Sequence, residues 1–356
     1  VVIAPFPAFG GKSAIADLVW QRFGRVDNLV EPFANSAAVA LGAPYIPTHE
    51  TWNDLNGYVA NFWRAVAADP DAVADAADWP VSEVDQHARH AWLIRQQTDL
   101  TARLMGDPDY YDAKVAGWWL WGICQYIGSG WCSGQGPWHS VDGRLVKGAA
   151  AGNGLWSQRP HLGNAGMGIN RKLPHLGDAG RGQCAEWTAH LHEMIGALRD
   201  RMRRVRVCCG DWRRVCGPTP TVKLGTTAVF LDPPYQMDGR DDVYDQHDAH
   251  PDGANSEVFY DVVTWAIAQG DDPRMRIAVC GYAESGLFPA SWDAVPWKAR
   301  GGYGNQADAT GRGRANSHRE VVWFSPQCLQ PAATFAQPIV VGESDWTGTL
   351  FEPESV

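Results

Sequence analysis

Residues 226–235 read TTAVFLDPPY: two threonines, four consecutive apolar residues, an acid, two prolines and an aromatic ring. A short run that is apolar at every position, rather than at alternate ones, fits a strand buried on both faces. The prolines end it, because they bring no N–H to a ladder and fix φ. A strand covered on both sides needs helices above and below its sheet, and the rest of the chain has to supply them.

The remaining sequence has that rhythm. KSAIADLVWQRFG (12–24) carries apolar residues at helical spacing and stops at Gly24. VDNLVEPFA (26–34) reads as a short strand running into a loop, and WNDLNGYVANFWRAVAADP (52–70) as polar turn residues followed by a helix up to Pro70. Residues 82–105 form a further helical candidate. VRVCCGDW (205–212) is a buried strand, EVFYDVVTWAIAQG (257–270) a helix closed by Gly270, and RIAVCGY (276–282) and HREVVWFSP (318–326) two more strands. Strands alternating with helices predict an α/β fold with a mostly parallel, Rossmann-like sheet and helices on both faces. Ligands of such sheets bind outside the carboxyl ends of the strands. Here those ends carry Glu31, Asp211 and Asp232.

The stretch 106–185 departs from this rhythm. It is crowded with Trp and Gly, as in GWWLWGICQYIGSGWCSGQGPW (117–138), and it contains a near-repeat. RPHLGNAGMGIN (159–170) returns as KLPHLGDAGRGQ (172–183), and two copies are too few for a solenoid. They read as paired Gly/Pro-rich loops with Arg159, Arg171, Lys172 and Arg181 at their edges. Charge follows the same division. Residues 137–223 hold 14 Lys/Arg against 6 Asp/Glu, a net of +8, so a total of −10 leaves −18 on the rest. A basic middle in an acidic frame suits local contact with a polyanion, since phosphate binding depends on the face presented. A solvated helix end at RDRMRRVRV (199–207) explains it equally well.

Eight cysteines show neither CxxC spacing nor a His/Cys ladder, which predicts reduced, packed thiols in a cytoplasmic protein and no metal site. No apolar run is long enough to span a bilayer, and the opening VVIAPFPAFGG lacks the pattern of a signal peptide.

The DPPY corner has a chemical reading of its own. The Asp232 carboxylate and the fixed Pro233 carbonyl are two acceptors that can grip one amino group, while Tyr235 offers a face to a planar base. Held this way, the nitrogen directs its lone pair at an electrophile without a strong base.

The pieces FPAFGGKSAI (6–15), VEPFANSAAV (30–39), NDLNGYVANFW (53–63), FLDPPY (230–235) and REVVWFSP (319–326) occur in the order seen in one family. The chain resembles the Dam-like adenine-N(6)-specific DNA methyltransferases, in particular those carried by phages. The resemblance implies an S-adenosylmethionine-dependent methyltransferase domain over 1–66 and 205–330, an inserted target-recognition region of helices and loops over 67–204 and an acidic tail over 331–356. It implies catalysis by Asp232, Pro233, Pro234 and Tyr235 on a flipped-out adenine of double-stranded DNA, by a monomer in the cytoplasm of a bacterial host.

For the cofactor, the resemblance implies a site made of Phe9, Gly10, Gly11, Lys12, Glu31, Pro32, Phe33, Ala34, Asn35, Ser36, Asp54, Asp211, Trp212 and Asp232. Lys12 would meet the methionine carboxylate, Glu31 the ammonium group, Asp54 the ribose hydroxyls, and Asp211 with Trp212 the cofactor's adenine. Asp54 also reads as an N-cap of the following helix. DNA contacts fall to Arg159, Arg171, Lys172 and Arg181.

In one place the pattern departs from the family. The loop after EPF is normally rich in glycine, and here it reads Asn35-Ser36-Ala37. A tolerated variant of the turn accounts for this. Other readings are a pocket reshaped for carboxy-S-adenosylmethionine, an enzyme acting on cytosine amine or RNA, and a catalytically silent DNA binder.

Overall fold

The computed structural model describes residues 2–6, 12–125, 131–132, 138–141, 144–147, 185–234, 255–283, 286–297 and 320–330. Its strands are β1 (Asn28–Glu31), β2 (His49–Asp54), β3 (Trp138–Val141), β4 (Arg144–Lys147), β5 (Val205–Cys209), β6 (Thr227–Leu231), β7 (Met275–Tyr282), β8 (Asp293–Pro296) and β9 (Glu320–Phe324). Its helices are α1 (Ala16–Phe23), α2 (Ala38–Leu41), α3 (Gly57–Ala68), α4 (Pro70–Ala77), α5 (Glu83–Gly106), α6 (Ala113–Gln125), α7 (Ala185–Arg201) and α8 (Asn255–Gln269).

Seven strands form one sheet in the order β5-β2-β1-β6-β7-β9-β8, and β3 and β4 pair as a separate hairpin. Neighbours from β5 to β7 run parallel, whereas β9 is antiparallel to both β7 and β8. From β1 the chain builds outward to β2 and β5, then returns to the other side of β1 with β6. The order therefore reverses between β1 and β6, which opens the crevice where open α/β sheets take their ligands. Because β9 runs backwards, its first residue, Glu320, pairs with the last residue of β7, Tyr282, and reaches that same edge.

Successive strand residues alternate between two hydrophobic clusters. Leu29, Ala228, Phe230 and Ala278 join one; Val30, Val229, Leu231 and Val279 join the other. This period of two, with both faces apolar, places helices on both sides of the sheet as expected. One cluster extends without a break from α1 and α3 into α4, α5, α6 and α7 through Val66, Val73, Leu100, Trp119 and Ile195.

Two elements differ from the sequence expectation. Trp52, Asn53 and Asp54 belong to β2 and not to the entry of a helix. The N-cap of α3 is Asn56, whose side chain accepts from the Tyr58 N–H at 2.8 Å, so Asp54 ends a strand and is not that helix's cap. The apolar stretch at 117–125, which falls outside the predicted rhythm of strands and helices, is helix α6. Its glycines allow close packing: a Cβ on Gly117 would come within 2.5 Å of the Ala76 methyl, and one on Gly122 within 1.9 Å of the Trp131 ring. Among the described residues, no helix is long and apolar enough to cross a membrane, and no group of His, Cys, Asp and Glu could hold a metal ion.

Candidate active site at the carboxyl edge of the sheet

Phe6 fixes the approach to the site. It is buried against Phe62, Trp63 and Trp119, with ring centroids 5.5, 6.4 and 4.8 Å away. After it, a 3-10 turn (Lys12–Ile15) leads into α1, anchored by buried Ile15. Lys12 thereby sits inside the protein, with its Nζ 3.0 Å from Oδ2 of Asp232; the two side chains are 7% and 22% exposed. Burial disfavours the Lys12 charge. Asp232, with smaller contributions from Cys280 and Glu320, outweighs it and holds the ammonium above the usual lysine range. The Trp297 ring lies 5.3 Å from the same Nζ.

Asp232 follows the last residue of β6, with Pro233 and Pro234 buried behind it. Beside it, β1 ends on buried Glu31, whose Oε1 accepts from the Ala40 N–H of α2 at 2.6 Å. Burial pushes this carboxyl up to about 8 against that hydrogen bond, with Glu50 and Asp232 adding to the rise and Arg201 opposing it. A cation brought next to such an acid would ionise it.

The loop after β1 is braced from three sides. Asp54 Oδ2 accepts from the Asn35 N–H at 2.8 Å, and Oδ1 from the Asn56 N–H at 2.9 Å. Burial still raises Asp54 to about 6, with those bonds and one from Leu55 opposing. Trp63 Nε1 donates to the Asn35 carbonyl at 3.0 Å. Asn35 and Ala37 have φ of 45° and 51°, so this loop without glycine adopts the left-handed backbone that glycine favours. Ser36 is buried between them.

The clamp on the neighbouring backbone is Asn53, which the sequence reading overlooked along with its strand. Its Nδ2 donates to the Pro32 carbonyl at 2.9 Å and to the Gly210 carbonyl at 2.8 Å, joining the ends of β1 and β5. Its own carbonyl accepts from the Ala34 N–H at 2.8 Å. Phe33 lies half-buried, 6.2 Å from the Trp212 ring. Trp212 itself is buried in the cluster of Val30 and Leu231. Asp211 accepts from the Arg213 N–H at 2.8 Å and pairs with the Arg213 guanidinium at 3.0 Å. Of the two residues expected to meet the cofactor's adenine, one is core and the other forms a half-buried turn.

Arg201 is a second residue whose role the sequence did not announce. It looked like part of a basic patch. Its Nη2 instead donates to the Ala40 carbonyl at 2.9 Å and pairs with Glu50 at 3.0 Å, tying the end of α7 to α2 and β2. Arg214 is likewise engaged, donating to the Cys209 carbonyl at 2.7 Å, and Arg213 pairs with Asp211 and Asp261. Arg204 and Arg206 are exposed. Among the described residues, the basic middle therefore supplies both braces, such as Arg201 and Arg214, and outward-facing charges, such as Arg204 and Arg206.

Lys12, Glu31, Pro32, Asp54, Asp232 and Pro233 thus converge on the reversal point of the sheet. Phe9, Gly10, Gly11, Tyr235, Arg159, Arg171, Lys172 and Arg181 lie outside the described residues, as does the tail 331–356. Residues 9–90 match the family of D12 class N6 adenine-specific DNA methyltransferases. The matched segment includes the turn at Lys12, β1, the Asn35–Ala37 loop, β2 and α3. A comparison with curated proteins gave no match.

Proposed function

We propose that this chain, whose residues 9–90 match the D12 class of N6 adenine-specific DNA methyltransferases, is a member of that class that binds S-adenosylmethionine between β1 and β6 and methylates an adenine flipped out of double-stranded DNA. The observation that supports this most is the Asp232-Pro233 corner, set at the sheet's reversal point within ion-pair distance of Lys12. The polar groups suit such a donor: Glu31 is a buried acid held short of ionisation, fit for an ammonium group, and Lys12 is a buried cation, fit for a carboxylate. When bound, the cofactor supplies an electrophilic methyl group on a sulfonium.

The residues of the chain provide position. Asp232 and the Pro233 carbonyl accept the two amino hydrogens of the target base and leave its nitrogen lone pair free to point along the line of transfer. An adenine inside a duplex cannot reach this edge, so it must leave the stack at a cost of a few kcal/mol, offset by contacts in the site. Asp54 holds the Asn35 loop through its backbone and has further lone pairs for hydroxyls. The outward-facing Arg204 and Arg206 suit phosphate contacts, which position a duplex without reading it.

Treating unmethylated genomic DNA with the protein and S-adenosylmethionine, then weighing the released nucleosides, tests this reading. N6-methyladenine is the expected product; a carboxymethyl increment or a modified cytosine would replace it with another chemistry. Asp232→Ala should lose transfer by about a thousandfold or more while S-adenosylmethionine still binds in calorimetry. If both vanish together, Asp232 belongs to cofactor binding.

A further inference from the structure

Two buried carboxyls share the face of the sheet against which α2 is tied. The register pairs Glu31 with Trp52 and Leu29 with Glu50. Glu31 and Glu50 therefore sit one strand across and two residues along from each other, with about 8 Å between their Cα atoms. Positions two apart in a strand point to the same face, and each of the two residues is only 2% exposed. A single peptide also joins them. Glu31 Oε1 accepts from the Ala40 N–H at 2.6 Å. The Ala40 carbonyl accepts from Arg201 Nη2 at 2.9 Å, and the same nitrogen donates to Glu50 Oε2 at 3.0 Å.

Between them the two acids have one paired cation. A guanidinium stays charged throughout the working range of pH, so Glu50, bonded to it directly, is the member that ionises. Glu31 meets an amide N–H and, among the described residues, forms no ion pair. Like charges this close in a dry site disfavour one another, and the two environments push the two proton affinities apart.

We propose that Glu50, fixed by Arg201, is a positioning residue for the cofactor: it keeps the proton on Glu31 in the empty site, so that this carboxyl ionises only as an ammonium group docks against it. The proposal rests on the methyltransferase reading above, in which Glu31 meets the ammonium group of S-adenosylmethionine. When that group docks, the Glu31 O–H bond breaks, its proton passes to the buffer, and the ammonium takes over the carboxylate.

The groups that face Glu31 come from four elements: the Ala40 N–H from α2, Glu50 from β2, Arg201 from α7 and Asp232 from the end of β6. Burial raises Glu31 most, and Glu50 and Asp232 add to the rise. The Ala40 bond and Arg201 oppose it, and of the Glu50–Arg201 pair Glu50 has the larger influence. Burial raises Glu50 as well, but Arg201 opposes that through both its bond and its charge.

The test is calorimetry of the full chain with S-adenosylmethionine in buffers of differing ionisation enthalpy, between about pH 6 and pH 10. The wild type should release close to one proton at pH 7, and the release should be half gone as pH rises to about 8. Glu50→Gln keeps the shape of the side chain and an oxygen for Arg201, and it removes the charge. Arg201 then acts on Glu31 unopposed, so the midpoint should fall by about one pH unit, leaving about half a proton released at pH 7. Glu50→Asp keeps the charge and should stay within about 0.3 units of the wild type. A purely structural brace would weaken binding in E50Q without moving the midpoint. Melting of each protein shows that it is folded. If E50Q does not fold with Arg201 left uncompensated, the double variant Glu50→Gln/Arg201→Gln replaces it. Its midpoint should fall by about half a unit, because Glu50 outweighs Arg201 at Glu31. An unmoved midpoint in the folded variant would overturn the proposal, as would an E50D protein that shifts as far as E50Q. Wild-type binding with no proton release sinks the assignment of Glu31 to the cofactor instead, so the two failures are distinguishable.

Discussion

The two halves of the carboxyl edge are built on opposite principles. On the β1–β2 side the polar groups that shape the edge are tied to backbone: Glu31 to Ala40, Asp54 to Asn35 and Asn56, and Asn53 to Pro32 and Gly210. On the β6–β9 side, side chains face one another: Lys12 pairs with Asp232, and Glu320 stands close by with a buried oxygen unpaired among the described residues. Backbone partners cannot leave without unfolding a turn, whereas side-chain partners exchange by rotation. The first half is suited to holding a cofactor in one pose. The second is suited to receiving a base that arrives, reacts and departs.

The comparison breaks most readily at Glu31. In the free protein its carboxyl, raised to about 8, is largely protonated at pH 7. An ammonium group beside it would force ionisation, so binding S-adenosylmethionine should release close to one proton at neutral pH. The dissociation constant should then rise about tenfold for each pH unit below 8, until Glu31 is protonated in the complex as well. Calorimetry in buffers of differing ionisation enthalpy counts that proton, and Glu31→Gln should abolish the release. Binding without proton release would remove Glu31 from the cofactor side.

Asn53 gives the next largest effect, and it separates the halves by kind of damage. Asn53→Ala strands the buried Pro32 carbonyl and the half-buried Gly210 carbonyl, for a loss of about 2–4 kcal/mol in urea denaturation. It should act on stability first and on turnover only through it. Asp232→Ala should act first on transfer. Should Asn53→Ala unfold at the wild-type midpoint, the tied half is not held by its clamp.

How much of this could be read beforehand differed by element. The strand ending in DPPY was legible because its apolar run and its prolines are both local signals. Lys12, Glu31 and Asp232 were legible as strand or turn ends that carry charge. β2 was not, since HETWND alternates poorly and its partners lie far away in sequence, at β1 and β5. Helix α6 was hidden for another reason: a helix buried on several sides has no polar face to set its period. Glu320 was passed over because only the reversed direction of β9 brings it to the edge. Arg201 had the composition of a surface patch, and its burial follows from its contacts with Ala40, Glu50 and Trp52, which no local window contains.

The smallest effect concerns Ala37, where a glycine would be usual for the family. Its φ of 51° costs an alanine about 1–2 kcal/mol relative to glycine. Against that, the methyl group is fully buried and contributes about 0.8 kcal/mol. Alanine also spares about 0.5–1 kcal/mol of the backbone entropy that glycine would lose on folding. These contributions nearly cancel, so Ala37→Gly should unfold within about 0.5 kcal/mol of the wild type and bind S-adenosylmethionine equally well. A gain above about 1 kcal/mol would mean that the loop is strained without compensation from packing. A comparable loss would mean that the methyl contact dominates. Near-equality would identify the turn as one that keeps the shape of a glycine loop while using its side chain as core, which is what the rigid half of the edge requires.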